Sequence, residues 1–320
     1  MYKLRLSAGV LAFSVLLPTA ATPRPAHASC GAAFCSVNTQ VETQGVWTEP
    51  GLRLNLRYEY IDQEQLRHGA DKIEPGGVPG THDELRTINR NLQVGMAYAF
   101  NPSWAVLMQL PVVQRDHRHV HNNAPPEYET WNFTSLGDFR LSGSYQTALS
   151  RDDIIGFQFG LKLPTGKFNE ANELGLRAER SLQPGSGTTD ALFGVYSHHR
   201  LAGATTTLFV QGLWQQPLNE RDDYRPGQQV TLDVGLRYAL TRNLDAQLQL
   251  NLLWKDRDRG LNAEPDDSGG HSVFLSPGAS YALSDTVQLY GFVQLPLYQY
   301  VNGSQLTADW LAVAGIRWRL

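Results

Sequence analysis

Apolar residues recur at every second position over most of this 320-residue chain. In residues 52–60 the even positions carry leucine or tyrosine, and the odd positions carry arginine, asparagine or glutamate. Residues 244–252 repeat the pattern, with leucine or alanine alternating with aspartate, glutamine or asparagine. Because successive side chains of a β-strand point to opposite faces, each such segment forms a ribbon with one apolar and one polar face. A long series of these ribbons predicts an all-β chain that closes into a transmembrane barrel, with lipid outside and water inside.

The first 28 residues have the features of a secretory signal peptide. Lys3 and Arg5 precede an apolar stretch at 6–21, and small residues follow at 26 and 28. We expect cleavage after Ala28 and a final location in the bacterial outer membrane. An N-terminal membrane anchor is the alternative, but the apolar stretch is short for a membrane-spanning helix.

Apolar alternation marks twelve segments between residues 51 and 320, which we interpret as one barrel domain. They cover residues 51–62, 86–100, 104–116, 137–148, 154–166, 188–200, 205–216, 229–240, 244–255, 271–283, 287–300 and 306–320. Five short connections alternate with six others that are mostly long, as the periplasmic turns and external loops of outer-membrane barrels do. This alternation places both ends of the barrel in the periplasm. The last segment, with Trp318 near its end, resembles the signal that barrel-assembly machinery reads.

In the central part of each of the twelve segments, one face carries no charged residue. Its positions, taken in steps of two, are 52–60, 92–100, 104–112, 139–145, 155–163, 191–197, 208–214, 230–240, 244–254, 273–283, 287–297 and 310–320. A charge that faces the middle of a bilayer costs ~2–4 kcal/mol, so we expect the uncharged face to contact lipid. A secreted β-sandwich would also bury one face, but it rarely needs so many long strands. The opposite face is expected to line a lumen and a solute path, to which we assign Arg53, Arg57, Arg140, Lys162, Tyr196, Asp233, Arg237, Tyr290 and Phe292.

The residues of the predicted lumen combine charges of both signs with aromatic rings. Mixed charges favour a lattice of salt bridges, whereas strong ion selectivity requires a ring of one sign. Tyr290 and Phe292 share one segment and one face, so they could offer stacked sites to an aromatic solute. Packing of the barrel interior is the alternative role for such rings.

Two stretches near the middle of the chain contain sequence motifs in addition to the alternating pattern. Residues 160–167 read Gly-Leu-Lys-Leu-Pro-Thr-Gly-Lys, and residues 182–190 read Leu-Gln-Pro-Gly-Ser-Gly-Thr-Thr-Asp. In them the chain resembles the outer-membrane family labelled "putative MetA-pathway of phenol degradation". The resemblance implies a barrel channel linked to small, often aromatic, compounds, and it supplies no catalytic residues. We expect the motif to shape the third external loop, with a purely structural turn as the alternative. Its positions are Leu163, Pro164, Thr165, Gly166, Gly185, Gly187 and Asp190.

Residues 29–50 form a polar segment ahead of the first strand, which we expect to lie in the periplasm. Its Cys30 and Cys35 are the two cysteines of the chain. In an oxidising compartment we expect them to form a disulfide, although a metal-binding or redox pair is the alternative. The segment could form a small plug or bind a periplasmic partner, and an unstructured leader remains the alternative.

His117, His119 and His121 form an alternating run that we place in an external loop after the third strand. In an extended chain the three imidazoles project to one side, an arrangement that can ligate Zn²⁺ or Cu²⁺. No neighbouring cysteine or carboxylate spacing completes a metal cage, so a solvated loop is the alternative.

The sequence contains no Gly-x-Ser-x-Gly nucleophile motif, and we expect the protein not to be an enzyme. The net charge of −4 and the lack of a basic cluster give no reason to expect nucleic acid as a partner. We therefore expect passive passage of a small solute, with an aromatic or weakly polar one favoured, and no cofactor. Two alternatives stay open. One is a closed barrel that binds a periplasmic partner through its Cys30–Cys35 segment, and the other is a metal uptake or sensing barrel that uses the histidines.

Overall fold

The computed structural model describes residues 47–76, 82–122, 125–201 and 205–320. The predicted signal peptide at 1–28 and the Cys30–Cys35 pair lie outside these ranges. Within them, no helix is both long enough and apolar enough to cross a membrane.

The described residues form fourteen strands and a 3-10 helical turn at Arg180–Leu182. The strands are β1 (Gly51–His68), β2 (Asp71–Lys72), β3 (His82–Ala99), β4 (Trp104–His121), β5 (Glu127–Leu136), β6 (Phe139–Ala148), β7 (Asp153–Leu163), β8 (Asp190–Arg200), β9 (Thr206–Pro217), β10 (Gln229–Ala239), β11 (Leu244–Lys255), β12 (Gly270–Ala282), β13 (Val287–Val301) and β14 (Ser304–Arg319). They occupy twelve positions in the barrel wall. The two-residue β2 only extends the edge of β1, and β5 and β6 pair with successive parts of the same strand, β4.

Neighbouring wall strands run antiparallel, and the wall closes between the first and the last of them. β1 pairs with β14 from Arg53 and Arg319 at one end to His68 and Ser304 at the other. Closure satisfies the backbone groups of both edge strands, as hydrocarbon surroundings require. The predicted closed antiparallel barrel of twelve strands is confirmed.

The two faces of the wall differ in polarity as the alternation predicts. In β11, Leu248 is 48% exposed on the outer face, whereas the neighbouring Gln249 is fully buried on the inner face. In β10, Leu232 and Leu236 are exposed, and Asp233 between them is buried. Apolar side chains therefore form the outer surface of the barrel and polar ones fill its interior.

Two hairpins extend further from the membrane than apolar alternation indicates. The relevant strand ends are His68 of β1, His82 of β3, His121 of β4 and Glu127 of β5. The predicted loops at 63–85 and 117–136 are therefore largely strand, and that prediction was wrong. Inward residues such as Gln63 and Thr87 are still fully buried there. The outer face beyond the hydrocarbon does not need apolar residues, so a search for apolar alternation ends the strands too early.

The fourth wall strand is interrupted between β5 and β6. Odd-numbered residues of β5 and even-numbered residues of β6 face inwards, so the inward parity changes at Gly137 and Asp138. The Gly137 N–H donates to the carbonyl of Pro111 at 2.8 Å. A Cβ on Gly137 would lie 2.8 Å from the Pro111 ring and 3.0 Å from the Pro184 carbonyl. Only glycine fits this crowded break, which brings the Asp138 carboxylate into the interior.

Four inward aromatic rings each pack against a glycine on the adjacent strand. The direct cross-strand pairs are Tyr196 with Gly156, Phe209 with Gly235, Phe292 with Gly278, and Tyr290 with Gly315. A Cβ on any of these glycines would come within 2.3 Å of the facing ring, so the ring occupies the space of the missing side chain. Such pairing covers the glycine backbone and stabilises a curved sheet.

Candidate functional site

The connection from β7 to β8, residues 164–189, folds into the barrel. Its residues 181–188 are all buried. Leu182 packs in one cluster with Trp131 and Phe133 from the inner face of β5. We call this connection the lumen loop. It starts and ends at the predicted external end, but it fills the interior there instead of projecting outwards.

Arg115 of β4 holds the lumen loop against the wall. Its side chain is fully buried. The Nη1 group donates to the carbonyl oxygen of Leu182, and Nε donates to Asn89 Oδ1 at 2.7 Å. Sequence reasoning missed Arg115 because its partner is a backbone carbonyl 67 positions away, for which no local pattern exists.

An ionic cluster of Lys162, Asp138 and Asp190 anchors both ends of the lumen loop. Lys162 Nζ lies 3.0 Å from Asp138 Oδ2 and 3.1 Å from Asp190 Oδ2. The same Nζ donates to the hydroxyls of Ser186 and Thr188. Lys162 is only 2% exposed. Lys162, predicted as a solute-path residue, is therefore enclosed by the loop anchor.

Backbone N–H groups complete the coordination of Asp138. Gly166 donates to Oδ1 at 3.0 Å, and Ser186 donates to Oδ2 at 2.9 Å. Because Gly166 lies near the start of the loop and Ser186 near its end, one carboxylate joins its two limbs. A Cβ on Gly185 would lie 2.6 Å from the Gly166 carbonyl, so the limbs touch at backbone distance.

One side chain of the lumen loop and one of β9 complete the coordination of Asp190. Thr188 Oγ1 donates to Oδ1 at 2.7 Å, and Gln215 Nε2 donates to Oδ2 at 2.5 Å. Gln215 Oε1 accepts from Arg140 Nη2 at 3.1 Å. The predicted lumen residue Arg140 thus belongs to the same network as the loop anchor.

The family-like motif builds this anchor. Leu163 ends β7, and Pro164 follows it. Thr165 Oγ1 accepts the Phe139 N–H at 2.8 Å, which ties the turn to β6. Gly187 has a φ of +73°, a conformation that glycine adopts without strain. The expected external turn is instead the support of an internal loop.

Two other predicted charges of the lumen, Arg57 and Asp233, also have partners. Arg57 forms an ion pair with Glu59 at 2.7 Å, and both side chains are buried. Asp233 accepts a hydrogen bond from Asn251 Nδ2 at 2.7 Å. These contacts lie on the inner wall and hold charge in place there.

Three arginines surround a cavity at the end of the barrel that carries the short turns, which we call the periplasmic end. The cavity has a volume of about 300 Å³ and is lined by Arg53, Arg317 and Arg319, with Trp47 among its apolar walls. Glu49 lies 3.5 Å from Arg319. Arg237, which we predicted to line the solute path, lies at an inward-facing position of β10 and is exposed, but it does not line this cavity.

The residues just before β1 enter this end of the barrel. The Trp47 side chain is buried with Ala99 and Ala105, and its Nε1 donates to the carbonyl of Asn101 at 3.0 Å. Gln146 Nε2 donates back to the Trp47 carbonyl at 2.6 Å. Trp47 therefore closes part of the mouth from inside.

The aromatic residues of the predicted solute path are buried in the structure. Tyr290 and Phe292 are 5% and 3% exposed, and they pack with Val313. The Tyr290 hydroxyl donates to Asn55 Oδ1 at 2.9 Å. Tyr196 is also buried, with its hydroxyl 3.1 Å from Ser144 Oγ. Each of these rings also covers a cross-strand glycine, so all three contribute to the packing of the interior.

The histidine run lies in strand β4, so its predicted place in an external loop was wrong. His117 and His119 are buried on the inner face. His119 Nε2 lies 3.2 Å from Glu129 Oε2, and His121 Nε2 lies 3.3 Å from Glu129 Oε1. Glu129 comes from β5, directly across from His119. Sequence reasoning missed this carboxylate because it treated residues 117–136 as loop.

Two carboxyl groups from different connections meet near the external end. Glu179 belongs to the lumen loop, and Asp267 belongs to the connection between β11 and β12. Burial of its carboxyl group, together with the nearby charge of Asp267, raises the pKa of Glu179 to about 8. The Glu179 carboxyl group is therefore mostly protonated at neutral pH.

Comparison with known proteins gives a family and a fold. The family model described as "Putative MetA-pathway of phenol degradation" matches residues 99–302, more than half of the chain. A crystal structure of an outer-membrane channel from Pseudomonas putida F1 superposes with a TM-score of 0.65 at 12% identity, over 86% of this chain and 97% of that one. At this identity the likeness establishes the barrel fold alone.

More distant barrels superpose with lower scores. The KdgM porin matches at a TM-score of 0.45 and 10% identity, over 84% of this chain and 99% of that one. The CymD monoaromatic hydrocarbon channel matches at 0.40 and 9%, over 85% and 89%. No curated protein matches the chain in sequence.

Proposed function

The chain belongs to the MetA-pathway of phenol degradation family and folds as a bacterial outer-membrane barrel, and on that premise we propose that it is a channel for small solutes. The favoured solute has one aromatic ring and a weakly acidic group. Passage is passive, through a lumen that the lumen loop narrows at the external end and Trp47 narrows at the periplasmic end.

The cavity at the periplasmic end carries this proposal. An engineered protein cavity of ~150 Å³ holds benzene, so about 300 Å³ gives room for a one-ring solute with some water. Ala97, Ala99, Ala105 and Leu107 form an apolar wall on one side of it. Such a wall favours the flat, apolar part of a solute over a sugar or a hydrated ion.

The charge of the cavity favours an acidic group on the solute. Arg53, Arg317 and Arg319 line it from two adjacent strands, in which Arg53 and Arg319 are direct cross-strand partners. Glu49 and Asp285 are the acidic groups nearby, so positive charge exceeds negative charge. Guanidinium groups bind carboxylates through paired hydrogen bonds, and they attract phenolates as well.

Conductance and solute flux test the proposal. Wild-type protein in planar bilayers should pass small ions with a preference for chloride over potassium, measured as the reversal potential in a KCl gradient. Liposome swelling should be faster with benzoate than with benzylammonium. The double variant Arg53→Gln, Arg317→Gln should lose both preferences.

The control is Arg242→Gln, which removes a charge from the exposed turn between β10 and β11 at the same end of the barrel. It should leave both preferences unchanged. Cation preference in the wild type, or equal loss of preference in the control, would exclude the cavity as the selective part of a channel.

A closed barrel that binds a periplasmic partner is the second candidate. It is favoured by the lumen loop, whose residues 181–188 are buried inside the barrel near its external end. In that case wild-type protein would show no conductance and no swelling with any solute. The predicted partner-binding segment with Cys30 and Cys35, and delivery by the barrel-assembly machinery, stay predictions.

A further inference from the structure

His119, His121 and Glu129 come together on the inner face of the β4–β5 hairpin, and the geometry points to a binding site for Zn²⁺ or Cu²⁺. The three potential ligand atoms all lie within 4.8 Å of one another. Glu129 places one carboxylate oxygen 3.2 Å from His119 Nε2 and the other 3.3 Å from His121 Nε2. This site is separate from the periplasmic cavity and does not depend on the proposed channel function.

Strand pairing explains why these side chains meet. β4 and β5 are antiparallel neighbours, and their register pairs His119 with Glu129 and His117 with Trp131. Residues 119 and 121 share the inward parity of β4, so His121 lies diagonally across from Glu129. Diagonal neighbours on one face of a sheet remain within reach of long side chains. The backbone therefore holds all three groups without a flexible loop.

The observed distances suit a tetrahedral cation. Zinc binds imidazole nitrogen and carboxylate oxygen at about 2.0–2.2 Å, so neighbouring ligand atoms in a tetrahedron are separated by about 3.4 Å. The two nitrogen–oxygen distances, 3.2 Å and 3.3 Å, are close to that edge, but they end on different oxygens of Glu129. Binding through one oxygen therefore requires the three side chains to draw closer together. A cation would replace the shared protons between Glu129 and the imidazoles with little movement of the chain.

A further carboxyl group lies next to the site on the inner side. Glu84 of β3 pairs with His119 from the other edge of β4 and is fully buried. Arg118 projects to the outer face, where its guanidinium lies 4.7 Å from the Tyr128 ring centroid. A second carboxyl group thus lies beside the site, and the arginine between its two histidines points away from it. Carboxylates beside ligating histidines strengthen metal binding in known sites.

Exposure changes across the site in a way that allows access for an ion. The His119 side chain is 6% exposed, whereas Glu129 and His121 are 25% and 34% exposed. One ligand is thus fixed in the interior, and the other two can reach solvent. Two nitrogens and a carboxylate suit Zn²⁺ or Cu²⁺, whereas Ca²⁺ and Mg²⁺ prefer six or more oxygen ligands. Three protein ligands leave a fourth position for water.

Isothermal titration with Zn²⁺ tests this inference on full-length protein in detergent, treated with EDTA and carrying no histidine tag. One equivalent should bind, and Mg²⁺ should not compete. His119→Gln and Glu129→Gln should each weaken binding by about tenfold or more, since each removes a ligand. His198→Gln is the control, because His198 is also buried and inward but stacks on Phe209 away from the site.

Tryptophan fluorescence gives a second, local measurement. The Trp131 ring centroid is 4.7 Å from that of His119, so bound Cu²⁺ should quench its emission. Quenching at one equivalent should disappear in Glu129→Gln and shrink in Trp131→Phe. Absence of binding in the wild type, or equal affinity in the wild type and His119→Gln, would overturn the site and leave a histidine–carboxylate hydrogen-bond network. An affinity lost equally in His198→Gln would also overturn it.

Discussion

Replacing Lys162 by methionine should release the lumen loop from the barrel wall. Methionine keeps most of the aliphatic stem but removes the ammonium group that joins Asp138 and Asp190. Those carboxylates would then face each other across at most about 6 Å, and their repulsion amounts to about 3 kcal/mol at an effective dielectric constant of 20. Mutations that break buried ion pairs cost about 3–5 kcal/mol in general. Both figures are large enough to weaken the docking of the loop, although Arg115 and the Leu182 cluster also hold it.

The Lys162→Met substitution should destabilise the docked position of the loop more than the barrel itself. Asp138 keeps its two backbone donors, and Asp190 keeps Thr188 and Gln215. Each carboxylate thus stays hydrogen-bonded while the loop is docked, and the uncompensated charge of the two wall carboxylates is relieved only if the loop moves away and admits water. We expect Lys162→Met to fold as a barrel, to raise single-channel conductance and to speed protease cleavage near the exposed Leu174.

Lys167→Met is the matched control. Lys167 lies in the same loop and forms an ion pair with Glu170 at 3.2 Å, but its side chain is 63% exposed. Exposed pairs contribute about 0–1 kcal/mol, so conductance and cleavage should stay near wild type. Adding Asp190→Asn to Lys162→Met removes one of the repelling charges and should restore part of the protection. Wild-type conductance and cleavage in Lys162→Met would refute the ionic cluster as the loop anchor.

Three further predictions concern the wall and the loop. Leu248→Arg should abolish assembly of the barrel, because a lipid-facing charge destabilises it by ~2–4 kcal/mol, whereas Gln249→Arg on the inner face should assemble. Assembly is measured as heat-modifiable mobility on gels. Equal yields would contradict the assigned faces. Tyr290→Ala uncovers Gly315 and should reduce the free energy of unfolding by about 3 kcal/mol, which lowers the thermal unfolding midpoint. Tyr290→Phe, which loses only the hydroxyl, should lower the midpoint much less. With the pKa of Glu179 raised to about 8 by burial and by Asp267, docking of the lumen loop is strongest below about pH 5 and weakens as pH rises through 8. Glu179→Gln should remove that trend from protease-protection profiles; an unchanged trend would assign it to other groups.

The sequence by itself determined the barrel and its two faces. Period-two alternation is a local property, and the bilayer imposes the same rule on every wall strand, so residues such as Leu248 and Gln249 could be assigned one by one. The even number of strands and the position of the short turns follow from the same pattern. The sequence predicted the strands only as far as the hydrocarbon layer, because the extensions of β1, β3, β4 and β5 beyond it no longer need an apolar face.

Only the tertiary structure decided what the interior contains. Asp138, Lys162 and Asp190 meet because three wall strands bring them to one level and the lumen loop folds over them. The motif glycines are explained by backbone contacts between distant parts of the chain, which no spacing in the sequence encodes.

The histidines show the same division most clearly. Their alternation predicts that His117, His119 and His121 share a face, and the structure agrees. The carboxylate that faces them depends on the register between β4 and β5, which shifts every side chain to the other face if it slips by one residue. Register is a property of paired strands, so Glu129 could be assigned to the histidines only in the folded barrel.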